Sequence, residues 1–510
     1  MGLFTNSFIE ILGTIDPERT VLTDSGRKIS AGRLLADSLS MAHSLQGEGV
    51  KKGDRVLMAV KPGVDFLQII YANMMLRTLV AIIDPEMGRD NFQAKLRQFN
   101  PQHAFADSRL VLLNEHPVLK YLVMRLRKST PSFPRLKRCN LFTAGPCLPL
   151  LQKQTHIRHL LRDTAPDIRL ERASEHDPFL LTYTSGTLTE PKGVVHSFSS
   201  LGKSIDHLSG LLKRNNDLSL ATHLPHFMLL GINSGIQVFL WDNEWSAKRK
   251  IMFIRDNNIT TLFGPPSDFI PQIEYLTKNS LLFPESIRNI YLGSAPVFTS
   301  FLKKLIPLAP NVRITCLYGM TENLIVCSQD GHEKADYSGE GDLVGKPFPG
   351  VRLSFGDDQE IFVESDQLFS QYFMMPNATR PHPTGDRGKL DEKGDILLLG
   401  RKKEMIIRGN FNIYPGLYEP TINRIGGITE AVLMGVFNPE KEDEEIVLVA
   451  ETDSGINKEE IMKKLKSGPC SIDKEALPDR VVFMTLPRSG RQKKVNRKVL
   501  QQILSNRKGQ

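Results

Sequence analysis

Hydrophobic residues in the first part of the chain follow two alternating patterns. Between residues 34 and 45, leucines and an alanine recur every three or four positions, which is the spacing of a helix with one buried face. Continuous apolar runs at 56–60 and 80–83 enclose a second helical stretch over 64–80. Such runs are typical of buried parallel strands, and strands separated by helices indicate β-α-β units.

The same alternation returns between residues 177 and 300. Apolar runs at 261–264, 287–292 and 314–317 are each followed by small or polar residues. Parallel sheets bind ligands at the carboxyl ends of their strands, so we expect a binding site where these runs end. The pattern therefore predicts an α/β fold with parallel sheets.

Two changes in composition indicate how this fold is divided. Glycines and short apolar alternations over 340–400 favour a β-rich subdomain, and the residues after Gly400 are richer in charge. We therefore predict a large N-terminal α/β domain over residues 1–400 and a small C-terminal α+β domain over residues 401–510, a size typical of small domains.

Composition restricts the functional class only weakly. The 510 residues are 40% hydrophobic and 24% charged, which is ordinary for a globular protein. The net charge of +8 favours small anionic partners such as nucleotides, CoA or lipid head groups, and equally serves solubility. We expect no nucleic-acid partner. Five scattered cysteines without a C-x-x-C pair, and the lack of a signal peptide or long apolar run, predict a cytoplasmic protein.

One basic stretch leaves two interpretations open. Residues 117–138 carry an apolar face of valines and leucines surrounded by lysines and arginines. A basic amphipathic helix of this kind can lie on an anionic membrane, which would make the protein peripheral to it. The alternative is a helix that packs on the domain with its charges in solvent.

The most distinctive stretch is L-T-Y-T-S-G-T-L-T-E-P-K-G-V-V, which begins at Leu181. Apolar residues lead into a loop of small hydroxyl residues around a glycine, and Lys192 closes it. Backbone N–H groups, hydroxyls and one ammonium at close quarters suit a polyphosphate. The spacing differs from that of a P-loop, and a plain surface turn of serine, threonine and glycine is the alternative.

Six stretches in order make the chain resemble the adenylate-forming (ANL) superfamily of AMP-dependent synthetases and acyl-CoA ligases. They are Y-T-S-G-T with P-K-G from residue 183, G-S-A-P from 293, Y-G-M-T-E from 318, T-G-D from 384, G-R-K-K-E with I-R-G-N from 400, and P-R-S-G-R-Q-K-K-V-N from 487. Each motif is weak alone, but their joint order is specific. The resemblance covers nearly the whole chain.

The resemblance implies a two-step reaction with ATP, Mg²⁺ and CoA. A carboxylate attacks the α-phosphate of ATP to give an acyl-adenylate and pyrophosphate, and a CoA thiol then takes the acyl group. Such chemistry needs positioning and charge neutralisation rather than a protein nucleophile. The residues implied to bind ATP are Thr184, Ser185, Gly186, Thr187, Lys192, Gly293, Ser294, Ala295, Pro296, Tyr318, Gly319, Asp386 and Arg401.

The roles implied by the resemblance divide along the nucleotide. The loop from Thr184 and Lys192 would hold the β- and γ-phosphates. Tyr318 would stack on adenine, with residues 293–296 on its other side, while Asp386 would accept the ribose hydroxyls with the help of Arg401.

Three further residues would act at the reacting phosphate. Thr321 would contact the α-phosphate, Glu322 would hold Mg²⁺, and Lys494 would bridge the α-phosphate and the substrate carboxylate. The resemblance also makes residues 401–510 a mobile lid, with Lys403 at its hinge.

The chain departs from the family pattern at several positions. Lys493 stands where the family has glycine before its catalytic lysine, so Lys493 competes with Lys494 for that role. The segment from Leu224 to Gly231, interpreted as a loop, resembles the acyl-pocket stretch of the family, and Met228 stands where the family often has histidine. The predicted apolar substrate pocket comprises His226, Phe227, Met228 and Gly231.

Two alternatives to the CoA ligase stay open. Part of the chain, from Met74, also resembles the olefin-pathway β-lactone synthetases, in which the hydroxyl of an activated β-hydroxy acid closes a ring without CoA. Departures at Leu188, Thr189 and Lys493 motivate the second alternative, a degenerate nucleotide-binding homologue without catalysis.

Overall fold

The structure is a computed structural model, and its described part consists of fifteen segments. They cover residues 7–24, 26–85, 89–116, 133–134, 136, 139–151, 154–161, 173–183, 192–214, 218–375, 378–408, 411–438, 443–453, 455–489 and 493–506. The hydroxyl-rich loop at 184–191 lies outside the described residues, as does most of the predicted amphipathic helix at 117–138.

An eight-stranded sheet forms one half of the larger part of the molecule. Its strands, in spatial order, are β19 (Gln371–Tyr372), β9 (Gly193–Ser197), β8 (Pro178–Tyr183), β4 (Leu79–Ile82), β3 (Arg55–Ala59), β5 (His103–Asp107), β6 (Asn140–Ala144) and β7 (Thr155–His156). From β8 to β7 neighbouring strands are parallel, as the buried apolar runs predict. The antiparallel β9 follows the hydroxyl-rich loop.

A thirteen-stranded sheet forms the other half. Its strands, in spatial order, are β17 (Arg352–Phe355), β18 (Glu360–Glu364), β20 (His382–Leu390), β21 (Ile396–Arg401), β16 (Asp342–Pro347), β15 (Asn323–Asp330), β14 (Arg313–Met320), β13 (Asn289–Leu292), β12 (Thr261–Gly264), β10 (Ser219–Thr222), β11 (Gln237–Leu240), β1 (Thr20–Asp24) and β2 (Arg27–Ser30). Neighbouring strands from β14 to β11 are parallel, whereas those from β14 to β21 are antiparallel.

The helices of the described residues alternate with these strands. They are α1 (Ser7–Thr14), α2 (Ala31–Gly47), α3 (Val64–Leu76), α4 (Arg89–Phe99), α5 (Ser108–Glu115), α6 (Phe198–Arg214), α7 (Pro225–Asn233), α8 (Ala247–Asp256), α9 (Pro266–Lys278), α10 (Thr299–Leu305), α11 (Gly331–Asp336), α12 (Pro415–Ile422), α13 (Lys458–Lys466) and α14 (Arg497–Asn506). Short 3₁₀ turns lie at Pro149–Leu151, Ile157–Leu160, Ile306–Leu308, Lys402–Glu404 and Lys474–Ala476. Across the described residues, none of these helices has the length and apolar character to span a membrane.

The C-terminal residues form small sheets of their own. These are β22 (Ile406–Arg408) with β23 (Phe411–Ile413), then β24 (Ile428–Asn438), β25 (Asp443–Thr452) and β26 (Arg480–Phe483), and finally β27 (Arg488–Ser489) with β28 (Lys494–Val495). Three apolar clusters draw on buried residues up to 396, and two others draw on residues 406–504. The split lies near the predicted boundary at residue 400, and that boundary stays a prediction.

The predicted α/β fold is confirmed, with two local corrections. Strand β14 does not end at 317, because it continues through Tyr318 to Met320 and pairs with β15 in a hairpin. The segment around Pro225, interpreted from the sequence as a loop, is helix α7. Proline is tolerated in the first turn of a helix, and the apolar run after it is buried, which explains why the segment is helical.

Candidate active site

One end of the candidate nucleotide site is built from three side chains, two on the neighbouring strands β20 and β21 and one on β14. Asp386 on β20 is buried, and its Oδ2 accepts a hydrogen bond from the Tyr318 hydroxyl at 2.6 Å. Its Oδ1 accepts from Arg401 Nε at 2.8 Å, because Asp386 and Arg401 are paired residues of β20 and β21. Burial, strengthened by the Asp386 charge, raises the pKa of the Tyr318 hydroxyl well above its usual range, so Tyr318 stays a neutral donor.

The predicted adenine loop lies beside Tyr318. Residues 293–296 follow β13, the parallel neighbour of β14, so both elements reach the same edge of the sheet. Ser294 has φ +66°, a left-handed conformation that turns the chain sharply after the strand. Gly293 is buried, and a Cβ atom at this position would lie only 3.2 Å from the Leu317 carbonyl oxygen. The structure therefore brings the predicted adenine and ribose residues together.

A second polar group lies at the tip of the β14–β15 hairpin. Glu322 is 9% exposed, and its Oε1 accepts a hydrogen bond from the Tyr372 hydroxyl at 2.8 Å. The Lys192 ammonium lies 5.1 Å from the centre of the Tyr372 ring, which fits a cation–π contact. The buried His382 ring also lies against Tyr372, with Nε2 3.5 Å from the hydroxyl.

The two groups are the two ends of one site. Tyr318 and Glu322 are four residues apart on one chain segment, and His382 and Asp386 are four residues apart on β20. Tyr318 contacts Asp386 directly, and Glu322 and His382 both contact Tyr372. Four extended residues span about 13 Å, which is an upper limit here because Thr321 and Glu322 form the hairpin turn. An extended nucleoside triphosphate needs a site of that order, with base and ribose groups at one end and phosphate groups at the other.

Lys494 reaches this site from the C-terminal residues. Its side chain is exposed, yet desolvation by the surrounding protein and, next, the positive charge of Arg401 lower the pKa of its ammonium to about 8, while Asp386 opposes the shift. Lys493 instead acts electrostatically on Lys250, outside this group. Lys493 also has φ +47°, a conformation that glycine adopts most easily, which agrees with its position in the family motif.

Ion pairs on both sides anchor the hairpin that carries Lys494. Arg488 on β27 contacts Glu430 at 2.7 Å and Glu451 at 2.6 Å. After the hairpin, Arg497 makes two hydrogen bonds to the buried Glu419 carboxylate, at 2.6 and 2.7 Å. These contacts fix the hairpin to its neighbours within the C-terminal residues.

An apolar cavity adjoins the phosphate end. Thr182, two residues before the hydroxyl-rich loop, and Leu324, two residues after Glu322, both line it. The cavity has a volume of about 100 Å³. The remaining lining residues come from α3, β4, β8, α6 and α7, and they are Phe66, Ile70, Ile82, Phe179, Leu180, Leu201, Ile205, Leu208, Pro225, His226, Phe227, Leu229 and Leu230.

The predicted substrate-pocket residues do not all reach this cavity. His226 and Phe227 line it, whereas Met228 is fully buried in the main core. Gly231 packs so closely on Val238 that a side chain would not fit. Burial and the neighbouring His223 lower the pKa of His226 to about 4, so its ring is neutral near pH 7.

The residues present fit a magnesium ion bound together with nucleotide phosphates. The described residues hold no cluster of three or more histidine, cysteine or acidic side chains able to bind a metal alone. Glu322 offers its second carboxylate oxygen, since Tyr372 engages Oε1. Magnesium is commonly held by one or two carboxylates, with the rest of its shell from phosphates and water.

Sequence reasoning missed Tyr372 and His382. Tyr372 contacts Glu322 from 50 residues away along the chain, and no local pattern marks such a pair. Lys403, also singled out from the sequence, is in the exposed 3₁₀ turn after Arg401. Gly319 directly follows Tyr318 on β14 and packs against the Leu324 carbonyl group. The roles assigned to all these residues stay predictions.

Comparisons with known proteins show the family to which the chain is similar. A family model described as AMP-binding enzyme matches residues 14–373. The chain is 22% identical over 473 residues to the long-chain-fatty-acid–CoA ligase FadD13 of Mycobacterium tuberculosis, covering 88% of each chain. It is 24% identical over 522 residues to a 2-succinylbenzoate–CoA ligase of Bacillus cereus, covering 96% of this chain and 97% of the relative.

A solved structure extends the likeness to the whole fold. The o-succinylbenzoate coenzyme A synthetase MenE of Bacillus subtilis, in complex with ATP and magnesium ion, superposes with a TM-score of 0.77. The sequence identity is 19%, and the match covers 97% of this chain and 99% of that chain. At this identity the likeness shows the fold alone.

Proposed function

The chain belongs to the AMP-binding enzyme family, and from that premise we propose that it activates a fatty acid with ATP and transfers the acyl group to CoA. The observation that carries the proposal is the apolar cavity beside the phosphate end of the candidate nucleotide site. Leu324 and Thr182 connect the cavity to Glu322 and to the hydroxyl-rich loop. A carboxylate whose chain fills the cavity would therefore lie next to the α-phosphate.

Each group at the site has a part in the first step. The Lys494 ammonium would attract the substrate carboxylate and neutralise charge on the α-phosphate as the new O–P bond forms and pyrophosphate leaves. Thr321 and Lys192 would hold phosphate oxygens, and bound Mg²⁺ would supply further positive charge. Asp386 would fix the ribose, which keeps the α-phosphate in position for in-line attack.

The relatives name two different kinds of acid. FadD13 is named for long-chain fatty acids and the Bacillus cereus relative for 2-succinylbenzoate. The cavity favours an aliphatic chain, because apart from Thr182 and His226 its described lining is apolar. An apolar cavity that binds benzene has a volume of about 150 Å³, and the cavity of this chain is smaller. We therefore expect short-chain acids to be the preferred substrates when the walls keep their present positions.

His226 favours one second candidate, a β-hydroxy acid. Its neutral imidazole lies on an otherwise apolar wall and can donate a hydrogen bond to a substrate hydroxyl or accept one from it. Such a hydroxyl can also attack its own acyl-adenylate, which would close a β-lactone and release AMP without CoA. A third candidate, a homologue that binds ATP without turnover, is separated from both by assay.

The test is pyrophosphate release with Mg²⁺ and ATP, screened over straight-chain acids from butanoic to palmitic, aryl acids and β-hydroxy acids, with and without CoA. We expect release with straight-chain acids, acyl-CoA as product, and loss of both in Lys494→Ala. Product only from hydroxy acids and only without CoA would replace the ligase with the lactone synthetase. ATP binding without release from any acid would leave a non-catalytic homologue.

A further inference from the structure

The turn formed by Thr321 and Glu322 is held by three contacts from outside its hairpin. The His196 ring nitrogen Nε2 lies 2.8 Å from the Thr321 carbonyl oxygen. The Phe369 N–H donates to the Glu322 carbonyl oxygen at 2.8 Å, and the Tyr372 hydroxyl donates to the Glu322 carboxylate. The first two contacts therefore act on the backbone of the turn, and the third acts on its side chain.

His196 is suited to donate to that carbonyl group. The residue is 2% exposed, and burial lowers its pKa, so the ring is neutral. A carbonyl oxygen only accepts, so the proton of the neutral ring must be on Nε2. The Ser200 hydroxyl lies 3.4 Å from Nδ1 and can donate to it, which supports this tautomer.

The strand that carries His196 links its contact with Thr321 to the phosphate loop. His196 lies in β9, four residues after Lys192, which stands just before the strand begins. Strand β9 pairs with β8 on one side and with β19, which carries Tyr372, on the other. One strand therefore connects the cation of the phosphate loop, the partner of Glu322 and the backbone of the turn.

We propose that His196 is a positioning residue for ATP activation, which holds the Thr321–Glu322 turn at a fixed place relative to Lys192. The inference rests on the proposed function, in which this turn meets the α-phosphate and magnesium while Lys192 meets the outer phosphates. Small displacements of such groups lower rates strongly, because in-line attack tolerates little misplacement. His196 itself would contact neither substrate nor metal.

A second buried histidine provides the matched control. His156 on β7 is 4% exposed, and its Nε2 lies 3.1 Å from the Gly145 carbonyl oxygen. The contact has the same chemistry but lies at the edge of the eight-stranded sheet opposite to β9 and β19. A purely structural role for His196 predicts that both histidines matter for stability alone.

The experiment compares His196→Leu, His196→Gln and His156→Leu in the full chain. Leucine fills space without a donor, whereas glutamine carries an N–H at similar reach. We expect His196→Leu to raise the Mg²⁺ concentration for half-maximal pyrophosphate release about 10-fold, as loss of a group behind a metal ligand commonly does. His196→Gln should recover most of it, and adenosine affinity should stay unchanged, since adenosine lacks phosphates.

Each outcome decides between positioning and structure. Comparable loss of thermal stability in His196→Leu and His156→Leu, with wild-type Mg²⁺ dependence in both, would overturn the inference. So would failure of His196→Gln to recover a defect seen in a folded His196→Leu protein. Absence of pyrophosphate release from the wild-type chain would refute the proposed function. The role of His196 could still be tested in that case, because calorimetric binding of Mg²⁺ and ATP needs no turnover.

Discussion

Replacing Asp386 with asparagine should separate nucleotide binding from folding. Each carboxylate oxygen already accepts one hydrogen bond, Oδ1 from Arg401 at 2.8 Å and Oδ2 from Tyr318 at 2.6 Å. A carboxylate oxygen can accept a second bond, and the ribose hydroxyls would use those remaining positions. Asparagine keeps the size of the side chain, but it removes the charge and turns one acceptor into a donor.

The expected loss follows from the strength of the bonds. Hydrogen bonds to a charged group contribute about 1.5–3 kcal/mol, and neutral ones about 0.5–1.5 kcal/mol. Loss of charge at two ribose bonds should therefore weaken ATP binding by about 2–3 kcal/mol, which is roughly 30- to 150-fold in Kd. Stability should fall by only about 1 kcal/mol, because 57% of the Arg401 side chain is exposed and exposed ion pairs contribute little.

Titration calorimetry with ATP and thermal denaturation measure the two effects separately. The control is Asp342→Asn, which breaks a 2.6 Å ion pair to the Lys334 ammonium outside the nucleotide site. The Lys334 side chain is 3% exposed, so this variant should lose about 3–5 kcal/mol of stability and keep wild-type ATP affinity if it folds. Wild-type ATP affinity in a folded Asp386→Asn protein would refute the assignment of Asp386 to the ribose.

Three further predictions concern the lysine hairpin and the cavity. Lys494→Ala should abolish pyrophosphate release, whereas Lys493→Gly should keep it. Lys493→Gly should also raise the free energy of unfolding by about 1 kcal/mol, because glycine relieves the left-handed φ of +47°. Loss of release in Lys493→Gly, with release kept in Lys494→Ala, would assign the catalytic role to Lys493. The kcat/KM for adenylation should fall as pH rises past about 8, where the Lys494 ammonium loses its proton, and Lys494→Arg should lack this alkaline decline if it is active. The pKa of His226 is lowered in the folded protein to about 4 from an ordinary value of about 6.5. The contribution of its neutral ring to stability is therefore complete above about pH 6.5 and is lost as pH falls toward 4. In His226→Asn the melting temperature should fall less steeply with decreasing pH than in the wild type.

The parts of the molecule that the sequence predicts correctly are governed by local patterns. Buried parallel strands such as β3 and β4 are continuous apolar runs, and their side-chain pattern does not depend on distant partners. The loop after β13 is likewise a short stretch whose small residues mark a turn of the backbone. The T-G-D segment lies within strand β20, and its role stays a prediction. The order of the motifs along the chain made these individually weak signals specific for one family.

The extension of β14 is a feature that local sequence patterns do not predict. Tyr318, Gly319 and Met320 look like the start of a loop, since a glycine and polar residues follow an apolar run. They stay in strand conformation because β15 returns antiparallel and supplies partners for their backbone, pairing Tyr318 with Cys327 and Met320 with Asn323. The same hairpin puts Glu322 at its tip, within reach of Tyr372, and this contact depends on pairing between segments that no local pattern connects.

The substrate pocket differs from its prediction for a reason that the helix itself supplies. In a loop, consecutive residues from His226 onward can all form one wall. In helix α7 each residue is rotated by about 100° from the one before, so Pro225, His226, Phe227, Leu229 and Leu230 fall within one arc, and these line the cavity. Met228 and Gly231 fall on the opposite arc, against the main core and Val238. Substitution of Met228 should therefore act through core packing. Under the proposed function, acid specificity should instead depend on α3, β8, α6 and the inward face of α7, which come together only in the folded chain.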